Sequence, residues 1–332
     1  MRRQTLFRLA FAACLGVPLA APAATTRTHV SAAGSDANTV SSCDYAHPCR
    51  SFAAALTVTT PGGEILALDS AEYGRVVVDR SVSIIAAPAI YAGIDVDATG
   101  NATGIEIATA GVDVLLRGLA INGEGGSYGI NMSNGARLLV ERCIVSGFSG
   151  GYAISVTTAA NARILDSRLH DNGHGVRFSH GAGGVVADSH VSGGTTGILV
   201  TDGIAATTRA MVAKTVIEQT GAGVTSQTSA GGTARVHVSR SVVARTLIGV
   251  RAGTAGSGTA YASVSNSQVT GSVTGLAAEG SGAKLVAAGN TVTRNETGLS
   301  QSASAVLESA GTNTVRNNTA DSAGTIASFT RM

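Results

Sequence analysis

The chain has 332 residues, and its 23 lysines and arginines nearly balance 21 aspartates and glutamates, which leaves a formal net charge of +2. Because the charge is balanced and no basic run occurs, nucleic acid is not an expected partner. Aromatic residues make up only 4% of the chain and tryptophan is absent. A core built mainly from aromatic side chains is therefore excluded.

Residues 1–23 have the features of a secretory signal peptide. Arg2 and Arg3 are followed by a mainly apolar run over residues 6–19, and Ala21-Pro22-Ala23 resembles a signal peptidase site. The run is too short for a membrane helix, and no second long apolar run follows. We therefore expect a mature protein that is secreted, either periplasmic or extracellular. The two arginines leave a twin-arginine export route open.

The cysteines are interpreted in the light of this expected export. Cys43 and Cys49 enclose a short loop, and an oxidising compartment favours a disulfide between them. Metal binding with Asp44 and His47 is the alternative, although two cysteines and one histidine make a poor zinc set. Cys143 has no evident partner, and we expect it to be a buried small residue and not a nucleophile.

A short helix is expected after this loop. Ser51 can cap a helix over residues 52–56, which ends before Pro61-Gly62. Such a helix would cover the N-terminal end of a strand-rich core, and Ile326 and Phe329 would cover the other end. Strand-like runs follow the helix at residues 64–68, 76–78 and 82–85.

A glycine followed by an aliphatic residue then recurs every 22 to 26 residues, which indicates a solenoid. The pairs are Gly104-Ile105, Gly129-Ile130, Gly175-Val176, Gly197-Ile198, Gly223-Val224, Gly249-Val250, Gly275-Leu276 and Gly298-Leu299, with Ala153-Ile154 in the one gap. Units of this length are too short for a strand and a crossover helix, and they fit one coil of a parallel β-helix. We expect the glycines to allow a positive φ where each strand begins.

A second column consists of small polar residues two positions before an aliphatic residue. Its members are Ser167, Ser189, Thr215, Ser241, Ser267 and Asn290, extended by Cys143 and Asn313. In stacked coils such residues lie one above another, so we expect an interior ladder that passes hydrogen bonds from coil to coil.

Several motifs resemble those of a known superfamily. They are Gly34-Ser35-Asp36, Pro48-Cys49-Arg50-Ser51-Phe52, Gly62-Gly63-Glu64-Ile65, Tyr73-Gly74 and Ser81-Val82-Ser83-Ile84, with Asp166-Ser167-Arg168-Leu169 and Asp171-Asn172-Gly173 in later coils. With them the chain resembles the secreted bacterial right-handed parallel β-helix proteins of the pectin-lyase-like superfamily. The resemblance implies an all-β fold, a single-stranded right-handed parallel β-helix of about nine coils with a short N-terminal capping helix. It implies no single activity, because the superfamily includes lyases, glycosidases, epimerases, esterases and adhesins.

The expected organisation has four parts. Residues 1–23 form the signal peptide, residues 24–90 the N-terminal cap and first strands, residues 91–320 the β-helix repeats and residues 321–332 a C-terminal cap or tail.

None of the catalytic signatures of that superfamily is complete. Gly173-His174-Gly175 matches one element of the polygalacturonase set, but the adjacent aspartate pair and the Asn-Thr-Asp motif that accompany it are absent. No aspartate-rich run suggests the Ca²⁺ site of a pectate lyase, and the Asp-Pro-His signature of alginate epimerases does not occur. No cofactor or metal is therefore expected, and whether the protein is an enzyme is left open.

One charged cluster is the candidate catalytic site, and it spans two neighbouring coils. It consists of Asp166, Arg168, His170, Asp188 and His190. The two aspartates could share a proton or hold a cation, the histidines could move protons near neutral pH, and the arginine could hold a substrate carboxylate. The alternative is a surface ladder in which Arg142 and Lys214 neutralise the aspartates.

The function predicted from the sequence is that of a secreted β-helix scaffold that binds a glycan or a cell-surface ligand. Its support is a mostly bland outward column that follows the Gly-aliphatic pairs, near which Tyr128 and Tyr152 are the only aromatic residues. The alternative is a polysaccharide-active enzyme, a uronic-acid polysaccharide lyase, a glycoside hydrolase or an epimerase, with its site on coils 152–200. The sequence leaves the sugar and the oligomeric state open.

Overall fold

The computed structural model describes residues 25–98, 102–229 and 231–329, and the predicted signal peptide lies outside this part of the chain. The described chain winds into a right-handed parallel β-helix whose coils each contribute one strand to each of three sheets. This confirms the predicted fold class. Within the described ranges, no helix has the length and apolar character needed to cross a membrane.

The first part of the chain contains twelve strands and one α-helix. The helix α1 spans Phe52–Val58, between the first two strands. The strands are β1 (Thr25–Val30), β2 (Thr59–Ala67), β3 (Ala71–Glu72), β4 (Val76–Val78), β5 (Val82–Ala86), β6 (Ala92–Asp97), β7 (Thr103–Ile107), β8 (Asp113–Arg117), β9 (Leu119–Glu124), β10 (Tyr128–Met132), β11 (Arg137–Glu141) and β12 (Ile144–Ser146).

The remaining strands continue the winding to the end of the described chain. They are β13 (Tyr152–Val156), β14 (Asn161–Leu165), β15 (Arg168–His170), β16 (His174–Phe178), β17 (Gly183–Ala187), β18 (His190–Ser192), β19 (Thr196–Asp202), β20 (Thr207–Ala213), β21 (Val216–Glu218), β22 (Ala222–Thr228), β23 (Thr233–Ser239), β24 (Val242–Ala244), β25 (Ile248–Thr254), β26 (Thr259–Ser265), β27 (Gln268–Thr270), β28 (Thr274–Glu279), β29 (Ala283–Ala288), β30 (Thr291–Thr293), β31 (Thr297–Ser302), β32 (Val306–Ala310), β33 (Thr314–Val315), β34 (Ala320–Ala323) and β35 (Ile326–Phe329).

From β2 onward, each sheet contains every third strand. Sheet A has 13 strands in the described chain and runs from β1 and β2 through β5 and β8 to β35. Sheets B and C have 11 strands each there, from β3 to β33 and from β4 to β34. Strand pairing therefore starts before and continues past the roughly nine coils counted from the glycine repeat. The predicted division into cap, repeats and tail is not marked by a break in this pairing and stays a prediction.

The N-terminal end is closed by α1 and a disulfide loop. The Ser51 side chain accepts a hydrogen bond from the backbone N–H of Ala54, as expected for a helix cap. Phe52 and Leu56 are buried against the first coils. Cys43 and Cys49 form a disulfide, which confirms the predicted pairing. No group of metal-ligating side chains that could hold an ion occurs within the described ranges.

The predicted polar ladder is present as two hydrogen-bonded rows, one from Cys143 to Ser189 and one from Thr215 onward. The backbone N–H groups of Cys143, Ser167, Thr215 and Ser241 donate to the side-chain hydroxyls of Ser167, Ser189, Ser241 and Ser267, each at 3.2 Å. Each of these serines also donates to a carbonyl two residues earlier in its own coil. The unpaired Cys143 begins this ladder, and burial raises the pKa of its thiol to about 11, which makes it an inert core residue.

Removing one hydroxyl tests the ladder. The Ser241 hydroxyl accepts from the Thr215 N–H and donates to the Ser239 carbonyl, both in a buried row. In Ser241→Ala the Thr215 N–H loses its partner, whereas the Ser239 carbonyl still accepts from the Lys214 N–H. Because a buried donor is left unpaired, we expect the free energy of unfolding to fall by about 1–3 kcal/mol. Urea denaturation measures it. The exposed Ser257 is the control, since Ser257→Ala should be neutral. An unchanged midpoint for Ser241→Ala would contradict the ladder.

The glycines recur at equivalent positions of successive coils for a reason other than the expected one. None of the eight has a positive φ. They are instead crowded: a Cβ on Gly223 would lie 2.5 Å from the Gly249 carbonyl oxygen and 2.5 Å from Val243 Cγ1. The expectation of a left-handed conformation was therefore wrong. Glycine recurs here because successive coils and the facing strand of sheet B leave no room for a side chain.

Candidate functional site

The predicted cluster lies on the outer surface of the β-helix, at the turns that lead from sheet A to sheet B. Asp166 and Asp188 occupy equivalent turns, with positive φ values of 48° and 51°, and both side chains are exposed. Arg168 in β15 pairs in register with His190 in β18. These four residues line one open depression of about 600 Å³ together with Arg142 and Lys214. His170 is not part of its lining, although it lies on β15.

The partners of these side chains limit what they can do. Lys214 Nζ lies 3.7 Å from Asp188 Oδ1, as the ladder alternative expected, whereas Arg142 approaches Glu141 at 3.7 Å and not Asp166. His190 Nε2 lies 3.0 Å from Glu218 Oε1. His170 Nδ1 lies 2.9 Å from Asp171 Oδ2. The nearest partners of these side chains are neighbouring surface charges. The catalytic roles of the five residues stay a prediction.

A more ordered group of side chains lies on the outer face of sheet C. The register of β10, β13 and β16 places Tyr128, Tyr152 and His174 in one row. The two tyrosine rings are stacked with centroids 5.9 Å apart, and the His174 ring follows at 4.5 Å from that of Tyr152. Stacked rings stabilise neighbouring coils, and they also hold one another in fixed positions. We call these three residues the ring row.

A polar column runs beside the ring row on the same face. Arg177 places its guanidinium 4.4 Å from the centroid of the Tyr152 ring and donates to Ser155 Oγ at 3.2 Å. Two coils earlier, the Asn131 amide donates to both carboxylate oxygens of Glu106, at 3.1 and 3.0 Å. The column Glu106, Asn131, Ser155 and Arg177 therefore has a negative end and a positive end. Steps of about 4.8 Å between strands give it a length of about 14 Å.

The pKa of His174, on this face, is lowered. Burial lowers its pKa below the ordinary value, and the positive charge of Arg177 lowers it further. Its Nδ1 is buried without a hydrogen-bond partner. The imidazole is consequently neutral at neutral pH, where it can accept a proton or a hydrogen bond.

Sequence reasoning noted the members of this face without assembling them. Tyr128, Tyr152 and His174 each directly precede the repeat glycine or the alanine that replaces it, so the repeat alignment already carried the signal. His174 was instead assigned to an incomplete Gly-His-Gly motif. The contact of Arg177 with the Tyr152 ring could not be inferred from alignment alone, because it depends on the direction of a long side chain.

Comparison with known proteins supports the architecture. A family model described as "Right handed beta helix region" matches residues 93–257. The crystal structure of pectate lyase Pel9A is similar with a TM-score of 0.59 at 13% identity, over 86% of this chain and 78% of that one. An alginate lyase from Paenibacillus sp. str. FPU-7 is similar with a TM-score of 0.54 at 15% identity, over 91% and 99% of the two chains. No curated protein matches the sequence.

These two structural relatives share the fold with this chain, and at such low identity the likeness extends to the fold alone. The family model covers the central coils that carry the ring row. The sequence repeat, the strand pairing and the comparisons agree. The chain is therefore a right-handed parallel β-helix protein with the pectin-lyase-like fold.

Proposed function

We propose that this protein binds a polysaccharide, without cleaving it, along the outer face of sheet C. The observation that carries the proposal is the ring row, in which Tyr128, Tyr152 and His174 are stacked and Arg177 packs on Tyr152. A linear ligand that follows the helix axis would meet the ring edges on one side and the polar column on the other. The relatives named as lyases of pectate and alginate support a carbohydrate as the ligand.

The polar groups of this face have unused hydrogen-bonding capacity. Among the described residues, neither phenol hydroxyl has a protein hydrogen-bond partner, and Arg177 has no ion pair. Sugars present many hydroxyl groups, which such donors and acceptors can bind. Because the rings are already ordered by stacking, binding would cost little side-chain entropy.

The charges of the column suggest which sugars fit. Arg177 can bind a carboxylate with two parallel hydrogen bonds, so a uronic-acid residue is favoured at that end. Glu106 and Asn131 at the other end can accept from and donate to neutral hydroxyl groups. A polysaccharide that contains uronic acids is thus our preferred ligand. The sequence features of export and the disulfide support a secreted location for such binding.

Isothermal titration with polygalacturonate, alginate and a neutral glucan tests the proposal. We expect at least one uronate polymer to bind, and Arg177→Gln to weaken that binding about tenfold, the effect of one charged hydrogen bond. Arg251 is a matched control, because it occupies the same register position in β25 but is already paired with Glu279 at 2.7 Å. Equal losses for Arg177→Gln and Arg251→Gln, or no binding at all, would contradict the proposal.

Cleavage of a uronic-acid polysaccharide is the second candidate, and one observation favours it. The neutral His174 lies beside the positively charged Arg177. In a lyase, the histidine would accept the C5 proton next to the uronate carboxyl group and the arginine would stabilise the developing charge. The C4–O bond would break as the C4–C5 double bond forms, and the leaving oxygen would take a proton from water. Absorbance of unsaturated products and a reducing-end assay would detect this activity. If the cleavage activity is lost in His174→Gln while binding is retained, the protein is an enzyme and the scaffold proposal is wrong.

The cluster predicted from the sequence provides a competing location for either function. We propose Asp166, Arg168, His170, Asp188 and His190 as the second location to test. The double variant Asp188→Asn with His190→Ala should leave binding unchanged if sheet C holds the ligand. A larger loss than in Arg177→Gln would move the site to the cluster.

A further inference from the structure

A separate depression lies on the outer face of sheet A, on a different side of the β-helix from the ring row. Its floor is formed by β17, where Gly183 presents no side chain on the outer face beside Val185. The backbone of Gly184 lies between them, and a side chain there would point into the core. The neighbouring strands β14 and β20 place Asn161 and Arg209 in register with Gly183, one on each side. The result is a shallow depression of about 540 Å³, which falls within the usual range of small-molecule sites.

The rim of this depression is positively charged and has no balancing acid. Arg163, Arg209 and Arg235 are exposed, and among the described residues none of the three forms an ion pair. No carboxylate lines the depression. Three unpaired guanidinium groups around an apolar floor create a field that attracts anions.

The remaining lining residues favour an aromatic ligand. The thioether side chain of Met211 is 51% exposed beside the floor, although methionine is usually buried. The Arg235 guanidinium lies 5.8 Å from the centroid of the Tyr261 ring, and His237 Nδ1 lies 2.6 Å from Ser263 Oγ. Sulfur and guanidinium groups both make favourable contacts with aromatic rings. This rim therefore offers two kinds of ring contact in addition to its charge.

We propose that this depression binds a flat aromatic anion, a one- or two-ring carboxylate or sulfonate. The ring lies on Gly183, Gly184 and Val185 with one edge against Met211, and the anionic group pairs with Arg209. A long polyanion fits less well, because the floor is apolar and is interrupted on both sides by the side chains of Asn161 and Arg209. This site does not depend on polysaccharide binding at sheet C.

Isothermal titration with naphthalene-2-sulfonate, a flat two-ring sulfonate, tests the proposal on the full chain. We expect saturable binding, with a dissociation constant about tenfold higher in Arg209→Gln because one charged hydrogen bond is lost. Gly183→Leu fills the depression and leaves the arginines in place, and it should abolish binding. A Cβ at Gly183 meets the Asn161 side chain at 2.8 Å, and that exposed amide can move aside.

Controls separate this site from general charge and from sheet C. Arg316→Gln removes an exposed arginine elsewhere and should leave the dissociation constant unchanged, as should Arg177→Gln on the ring row. Thermal melting identifies any variant that fails to fold. If Gly183→Leu does not fold, the dissociation constant of Arg209→Gln alone decides the test. Equal binding by the parent and Arg209→Gln overturns the proposal. So does polygalacturonate binding that falls in Arg209→Gln and persists in Gly183→Leu, because the arginines would then serve a polyanion.

Discussion

Replacing Phe178 by alanine should cost about 3–5 kcal/mol of unfolding free energy, the largest single loss we expect in this chain. Phe178 is fully buried in β16 and is one of the few aromatic side chains inside the β-helix. A Cβ placed on Gly184 would lie 2.6 Å from its ring, so the ring fills the space that this glycine leaves. Because both neighbouring coils pair through their backbones, they cannot collapse into the resulting cavity.

Guanidinium denaturation monitored by circular dichroism measures this loss. Phe178→Leu is the matched control and should lose less, since most of the apolar volume remains. Leu247→Ala truncates a side chain that is 64% exposed and should change stability by less than about 0.5 kcal/mol. If Phe178→Ala proved no more destabilising than Leu247→Ala, the ring would not be the packing element that the structure shows.

The course of the coils could be predicted because each strand sits directly above its equivalent. Ile198, Val224 and Val250 are one repeat apart in sequence and pair in register in β19, β22 and β25. The same argument predicted the hydrogen-bonded row that includes Ser241. Early coils lack the glycine signal, which is why strands β2, β4 and β5 were identified as strand-like runs without being counted as coils.

The surface was harder to predict, because alignment gives register and not the direction of side chains. Asp166 and Asp188 were correctly expected to lie on stacked coils. That Lys214 pairs with Asp188 while Arg142 turns to Glu141 depends on the rotamers of long side chains. The depression on sheet A was missed for a related reason. The sequence analysis did not single out Gly183, and only strand pairing shows that it leaves a gap on the outer face of the sheet.

The repeat glycines show how a correct pattern can have a different cause. A glycine that needs a positive φ tolerates no side chain because of its own backbone. A crowded glycine with ordinary φ is restricted by its neighbours instead. The two causes differ in what a mutation should disturb. In the second case the damage reaches the adjacent coil, through the carbonyl oxygen that a new Cβ would meet.

Gly223→Ala should therefore lower the unfolding free energy by about 3 kcal/mol, the upper part of the range for overpacked cores. The new Cβ would lie 2.5 Å from the Gly249 carbonyl oxygen and from Val243 Cγ1, and neither the paired backbone nor the buried valine has space to retreat. The carbonyl belongs to the next coil, so amide hydrogen exchange should accelerate in β25 as well as in β22.

Gly203 provides the matched control for this substitution. It has ordinary φ, and a Cβ there would meet nothing within 4 Å, so Gly203→Ala should change stability by less than about 0.5 kcal/mol. Both substitutions reduce the entropy of the unfolded chain equally, and the difference between them isolates the steric term. If Gly223→Ala were as stable as Gly203→Ala, crowding between coils would not be the reason that glycine recurs at this position.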